Sequence, residues 1–338
     1  GNGGIQTEIG NLVPFIFPAR WLVSGSRRFE ARAEKYANAL LRINTAKAIQ
    51  TLSLAYDAQL EIRSELRALH SEVFNLLNTL KEKQVLFSKQ IDSNSVLTIE
   101  ILINDLDVSL YATENDINSN QISLSTLLGF QNPLAVEKVV LGNETTRMRS
   151  IPILAEADLE VEKKRLAEIS ICNSFELQQL KNLRKAASLD EKAVYLNWFD
   201  FSSTLDLGLN LFPKAKIAHS LVETLDLRIG ETRQTLIARA YNQIRDRNMI
   251  RKNLEIYESS LTSRRDRLGK LLSQYNDWIR TLENAKDSPV STSDLRNAVK
   301  DLILGMRSYY NARAAVEINQ VEVDRLELQG AYLHLLPG

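Results

Sequence analysis

Three histidines, one cysteine and a few paired carboxylates are the residues of this 338-residue chain whose types could do chemistry. A helical di-iron site needs a Glu three residues before each ligating His. Arg67, Lys216 and Ala331 stand there instead, before His70, His219 and His334. The histidines are therefore expected on helix surfaces or in packing. Glu156 with Asp158, and Glu160 with Glu162, lie beside Lys163 and Lys164, the pattern of a solvated helix face. Cys172 is the only cysteine, so no intrachain disulfide or multi-Cys metal site can form; its place in Ile169-Ser170-Ile171-Cys172 predicts core packing. No Gly-rich phosphate loop follows a strand, and no Gly-x-Ser-x-Gly elbow is present. An enzyme is not expected, and no catalytic, metal-ligating or cofactor-binding residue is assigned.

Polar groups do gather at two places. Ile91-Asp92-Ser93-Asn94-Ser95 and Asp287-Ser288-Pro289-Val290-Ser291 are clusters of turn formers between helical stretches. Near the second, Asp277, Arg280, Glu283, Lys286, Asp287 and Asp294 could hydrogen-bond or ion-pair between neighbouring helix ends. The plainer alternative is a solvated helix end with mixed charges. Tyr275 and Trp278 serve equally well as packing anchors.

Long helices must position these turns. From Ser26 to Leu128 the chain has no Gly or Pro, and Ile62, Leu66, Leu69, Val73, Leu76 and Leu80 recur at steps of four and three. That is a coiled-coil seam. Ser26 is a suitable N-cap, and a helix from there to Ile91 would be about 100 Å long at 1.5 Å per residue. After the turn, Ile99, Leu102, Ile103, Leu106, Leu110, Ile117, Ile122 and Leu124 form the apolar set of a returning helix that stops at Leu127-Leu128-Gly129. Helical periodicity resumes from about Ala155 to Asn197 and from about Lys214 to Lys286. A last helix begins near Thr292 with Leu295, Leu302, Tyr309, Val316 and Val323 at regular sevens.

Two short strands complete the plan. Ile5, Thr7 and Ile9 alternate with polar residues or Gly in the segment ending at Phe17-Pro18, and Leu205, Leu207, Leu209 and Leu211 do so before Phe212-Pro213. The result is an internal repeat. Ser95 lies 78 residues after Phe17 and Ser291 lies 79 after Phe212, and the two return helices run to Leu127-Leu128-Gly129 and Leu335-Leu336-Pro337-Gly338. The predicted fold is mainly α: long antiparallel coiled-coil helices in a tandem strand-helix-turn-helix repeat, with short strands at one end. Its parts are a first repeat over 1–129 with its turn near 92–95, a linker over 130–154, and a second repeat over 155–338 with its turn near 287–291.

Composition agrees. Thirteen Gly, seven Pro and 7% aromatic residues are few for a chain of this length, while 44% hydrophobic content suffices for a core. Lys plus Arg equals Asp plus Glu at 42 each, which leaves no surplus charge for nucleic acid or an anionic membrane surface. No apolar run is long enough for a transmembrane helix. There is no signal peptide, and Gly1-Asn2-Gly3-Gly4 has the look of a processed or engineered end.

With this repeat in view, the chain resembles the outer-membrane factors of Gram-negative efflux and type I secretion systems, the TolC-like proteins. The resemblance is architectural and spans nearly the whole chain. The family's turns carry a Gly, a small or Ser residue three on, an Asp three further, then Leu. Ser288, Ser291, Asp294 and Leu295 stand in those places in the second half, with Ser288 replacing the Gly, and Asp92, Ser95, Thr98 and Ile99 in the first, where both the Gly and the Asp are missing. The resemblance implies a homotrimer forming an α-helical periplasmic tunnel, an outer-membrane barrel if the strands form one, and partnership with a periplasmic adaptor and an inner-membrane transporter. Adaptor contact would then fall to Asp92, Ser95, Ser288, Val290, Ser291 and Asp294, and closure of the entrance to Asp277, Arg280, Lys286 and Asp287.

Two departures stand out. The helix and outgoing strand expected before the first strand are absent from this chain. The sixteen residues from Asn197 to Phe212 are also too few for a membrane hairpin, whose strands need about 9–11 residues each. A periplasmic helical scaffold or adaptor that conducts nothing is accordingly the alternative reading. A membrane-bending helical dimer fits the neutral charge balance less well.

Overall fold

The computed structural model describes residues 18–132, 153–196, 211–282, 291–328 and 334. They form six helices: α1 (Pro18–Leu86), α2 (Ser93–Leu127), α3 (Glu156–Asn173), α4 (Phe175–Leu196), α5 (Leu211–Arg280) and α6 (Thr292–Glu327). Helix α1 has 69 residues and α5 has 70, while α2 has 35 and α6 has 36. The tandem repeat is thus visible in the helices themselves. No strand occurs among the described residues. The predicted strand segments 3–17 and 205–210 lie outside them, and Leu211 and Phe212, read as the end of a strand, begin α5 instead. No described helix is long and apolar enough to cross a membrane.

Contacts group the chain into two units. The hairpin unit comprises Lys47–Ala155 and Arg245–Glu322. Within it α1 and α2 run antiparallel, tied by Arg67–Glu114 at 2.8 Å, His70–Asp107 at 3.1 Å and Lys81–Glu100 at 2.6 Å. Numbers rise along one helix as they fall along the other. Arg267–Asp301 at 3.4 Å similarly tethers α5 to α6. The α1 seam from Ile62 to Leu80 is buried throughout, against Ile99, Leu102, Ile103 and Leu106 of α2, Leu268, Leu272 and Tyr275 of α5, and Leu295, Leu302 and Met306 of α6. Each large aliphatic side chain buried there contributes roughly 1.5–3 kcal/mol against the entropy of ordering the chain. The predicted α2 set is buried too, except Leu110, which is half-buried, and Ile122, which is exposed.

Helix α2 stops as expected at Gly129, whose φ of +78° is open to a residue without Cβ. Phe130 N donates to Ser125 O at 2.9 Å and Gly129 N to Thr126 O at 3.1 Å, which closes the last turn. Helix α6 ends sooner than its Leu-Leu pair, at Glu327, followed by Leu328 in the left-handed region at φ 52°. Residues 335–338 lie outside the described set.

The split-helix unit comprises Gly1–Ala46, Glu156–Ile244 and Val323–Gly338. Leu166, Ala167, Leu177, Leu236, Ala240, Ile244, Val323 and Leu326 make its main core. The continuous helix expected from Ala155 to Asn197 is broken at Ser174. Its Oγ accepts from Leu177 N at 3.1 Å and donates to Glu176 Oε2 at 2.9 Å, so Ser174 caps α4 as a new start. Phe175, one residue on, packs against Tyr36 with ring centroids 5.6 Å apart. Cys172, expected in the core, is exposed at the end of α3. Ser26 is no N-cap: α1 already starts at Pro18, and Ser26 is buried mid-helix. Its neighbour Gly25 lets α1 approach closely, since a Cβ there would stand 3.0 Å from Leu189 Cδ1.

Candidate functional site at the helical turns

The turn residues singled out by the sequence belong to the hairpin unit. In the first turn the chain leaves α1 at Leu86. Ile91 N and Gln90 N donate to Phe87 O at 3.0 Å each, and Ser95 N donates to Asp92 O at 3.0 Å as α2 begins. Asp92 is the N-cap residue, extended at φ −67° and ψ 140°, but its carboxylate makes no capping hydrogen bond. It is left exposed at the positive end of α2. Ser95 is half-buried, and Ile91 and Val96 pin the turn onto the core.

The second turn is described at its two ends. Helix α5 closes with Thr281 N donating to Asp277 O at 3.1 Å, and Leu282 is buried. Ser291 caps α6: its Oγ accepts from Ser293 N at 3.2 Å, and its carbonyl accepts from Asp294 N at 3.0 Å. Asp294 adds an acid in the first turn of α6, favourable to the helix dipole. Ser288, Val290, Lys286 and Asp287 lie outside the described residues. Asp277 and Arg280 are both exposed on the last turns of α5, and among the described residues no ion pair joins them. Tyr275 and Trp278 are packing anchors: both are buried, with centroids 5.3 Å apart in an edge-to-face contact. Burial pushes the Tyr275 hydroxyl up to about 12.

Two features escaped the sequence reading. Val85 and Leu86 at the close of α1 and Leu97 at the start of α2 leave large apolar side chains exposed beside the first turn. The lapse of the seam after Leu80 was a signal for this, because apolar residues out of register with the buried stripe must face outward. The charges that join the two hairpins also sit away from the turns. Asp105 of α2 meets Arg296 and Lys300 of α6 at 3.0 and 3.2 Å. Glu65 of α1 meets Arg265 of α5 at 2.7 Å and accepts from Tyr310 Oη of α6 at 3.1 Å. The Arg296 hydrogen bond, helped by Lys300, holds the Asp105 carboxyl below its ordinary value.

Elsewhere in that unit a cleft of about 440 Å³ opens between α1 and α6, lined by Asp57, Glu61, Tyr310, Arg313 and Glu317 among others. Burial raises Glu317; Arg313 opposes this and Asp57 adds to it. Two histidines meet carboxylates at the surface, His70 beside Asp107 and, in the split-helix unit, His219 beside Glu191 at 2.9 Å. The Glu191 hydrogen bond, together with Glu223, raises His219. Among the described residues no group of His, Cys, Asp and Glu could hold a metal ion. The arrangement offers helix ends with a capping hydroxyl at Ser291, exposed acids and exposed apolar side chains.

No protein-family model matches the chain, and no curated protein matches it. Solved structures do. A membrane protein from Pseudomonas aeruginosa superposes with a TM-score of 0.73 at 11% identity, over 91% of this chain and 74% of that one. The CmeC outer membrane channel of Campylobacter jejuni gives 0.73 at 9%, over 91% and 67%. The outer membrane protein VceC of Vibrio cholerae gives 0.67 at 11%, over 92% and 74%. The likeness is one of fold: this chain has the helical architecture of TolC-like outer-membrane channels.

Proposed function

We propose, with that shared fold as premise, that the chain is a protomer of a homotrimeric export conduit in the Gram-negative envelope. It would act in efflux or type I secretion and not as an enzyme. The observation that carries this reading is a superposition covering more than nine-tenths of the chain on outer membrane channels. A physical argument supports it. Helices with an apolar stripe facing outward as well as one facing inward need a partner for the second stripe, and a closed ring of identical copies supplies one. In this reading the turns around Asp92–Ser95 and Ser288–Asp294 meet a periplasmic adaptor that links to an inner-membrane transporter. Asp277, Arg280, Lys286 and Asp287 hold the entrance closed.

A second reading, a periplasmic scaffold that conducts nothing, is favoured by one measurement of the chain. Helix α4 ends at Leu196 and α5 begins at Leu211. That interval is shorter than the roughly 20 residues two membrane-spanning strands require. The molar mass of the purified chain by light scattering, with and without detergent, separates the readings. A trimer that needs detergent supports the channel. A species soluble without detergent, trimeric or not, supports a tunnel segment or scaffold in the periplasm, and a compact monomer overturns the channel.

A further inference from the structure

The packing of α1 against α6 opens in the middle of the hairpin unit. Glu65–Tyr310 at 3.1 Å and the Lys47–Glu322 ion pair set the two helices antiparallel, since numbers rise on one as they fall on the other. The same register sets Ala58 level with Ala314, and both are buried. Packed helix axes stand about 8–10 Å apart, and two facing alanines carry too little side chain to fill that space. The cleft of about 440 Å³ lies there, with Ala58 and Ala314 in its lining. Its volume falls within the range of small-molecule sites.

The lining has two chemistries. One part is apolar, formed by Leu54 and the two alanines. The other is acidic. Asp57 and Glu61 stand one turn apart on α1, Glu317 lies across from Asp57 on α6, and Arg313 is the one base among the described residues that line the cleft. Arg313 meets Glu317 of its own helix at 3.8 Å, beyond hydrogen-bond length.

That pair does not cancel the field. Burial raises the Glu317 carboxyl and Asp57 adds to the rise, against the pull of Arg313. Burial also raises the Tyr310 hydroxyl, with Glu65 and then Glu61 adding to it. Both groups therefore feel negative charge in the cleft even with Glu317 beside Arg313 and with Glu65 paired to Arg265 at 2.7 Å.

The spacing of the acids narrows the class of ligand. Among the described residues no group of His, Cys, Asp and Glu could hold a metal ion, so a point cation finds no cage. Carboxylates about 5–6 Å apart along an apolar wall suit a cation with a hydrocarbon body. We propose that the cleft is a binding site for organic amines, with the ammonium group between Asp57 and Glu317 and the hydrocarbon against Leu54, Ala58 and Ala314. An ammonium brings three donors and no acceptor, so it answers several carboxylates at once, which a neutral hydroxyl cannot do. The site lies within one chain and holds whether or not copies assemble into a conduit.

Isothermal titration calorimetry of the full chain at neutral pH tests this with phenylbutylamine as the probe and phenylbutanol as its neutral counterpart. The amine is expected to bind saturably at one site per chain, and the alcohol at least about tenfold more weakly, the difference that one or two charge-assisted hydrogen bonds make. Glu317→Gln keeps the shape of the lining and removes a charge that burial already disfavours, so the variant stays folded; its affinity for the amine is expected to fall about tenfold. Ser64→Trp sets a large ring at the exposed rim of the same cleft. It is expected to abolish amine binding while helical circular dichroism stays unchanged. Equal affinity for amine and alcohol means an apolar surface alone and overturns the proposal. So does amine binding that survives both substitutions, which places it elsewhere on the chain. Displacement of the amine by an equal concentration of calcium ion makes the acids a point-cation site and overturns it too, as does the absence of any saturable binding.

Discussion

Asp105 of α2 and Arg296 of α6 lie 191 positions apart in the chain and meet at 3.0 Å, with Lys300 on the same carboxylate oxygen. One acid on the first hairpin thus holds two bases on the second. The tandem repeat is fastened to itself at this point, which no local pattern announces.

Replacing that acid by Asp105→Asn is expected to cost about 0.5–1 kcal/mol at pH 7, because the group is more than a third exposed and solvent screens it. The Asp105 carboxyl sits below its ordinary value. The unfolded chain therefore takes up the proton first on acidification, and the stabilisation is present above about pH 4 and fades as pH falls through the folded value. Urea unfolding of both proteins from pH 7 to pH 2 checks this: the gap narrows only below pH 4, and 1 M salt reduces it.

Glu317 behaves with the opposite sign. Burial raises its carboxyl, aided by Asp57 and opposed by Arg313, with Glu61 and Tyr310 lining the same cleft. Its ionisation is harder in the folded state, so its contribution is most favourable below the ordinary Glu value and is lost as pH rises through the folded one. Glu317→Gln should raise the urea midpoint at pH 7 and leave it unchanged at pH 4. A lower midpoint at pH 7 would show that the Arg313 pair outweighs burial.

Core and surface positions of one helix should separate cleanly. Leu66 is 0% exposed in the α1 seam and Phe74 is 46% exposed on the same helix. Leu66→Ala should cost about 2–5 kcal/mol through lost burial and the cavity left behind. Phe74→Ala should change the urea midpoint by an amount closer to that of ordinary surface substitutions, about 0.5 kcal/mol.

At the break between α3 and α4, Ser174→Ala removes the oxygen that accepts from Leu177 N. A loss of about 0.5–2 kcal/mol is expected. Ser174→Asp retains an acceptor and should recover most of it. Thermal melts of the three proteins provide the comparison.

Much of the fold could be read from the chain because it is written in local periods. The stripe from Ile62 to Leu80 is buried along its whole length, Leu295, Leu302, Val316 and Val323 of the α6 sevens are buried with Tyr309 half-buried, and Gly129 stops α2 in the left-handed region. The repeat was legible too, since the helices pair as 69 with 70 residues and 35 with 36. At the turns, Tyr275 and Trp278 take the packing role that their types allow. Such features depend on neighbours a few residues away, and sequence displays those directly.

Other features were decided by what packs against what. Ser26 reads as a helix start, yet it lies buried inside α1 because Pro18 opens the helix earlier and Gly25 admits Leu189. Ser174 ends one helix and caps the next where Phe175 finds Tyr36, and Cys172 is turned outward in spite of its apolar neighbours. The partners of Asp105 and Glu65, and the outward aim of Leu97, Val108 and Tyr111, depend on which helices occupy the adjacent corners. A heptad states that a helix face is apolar; only the tertiary structure decides whether that face is covered by its own chain or left for another, because burial depends on neighbours arbitrarily distant in sequence.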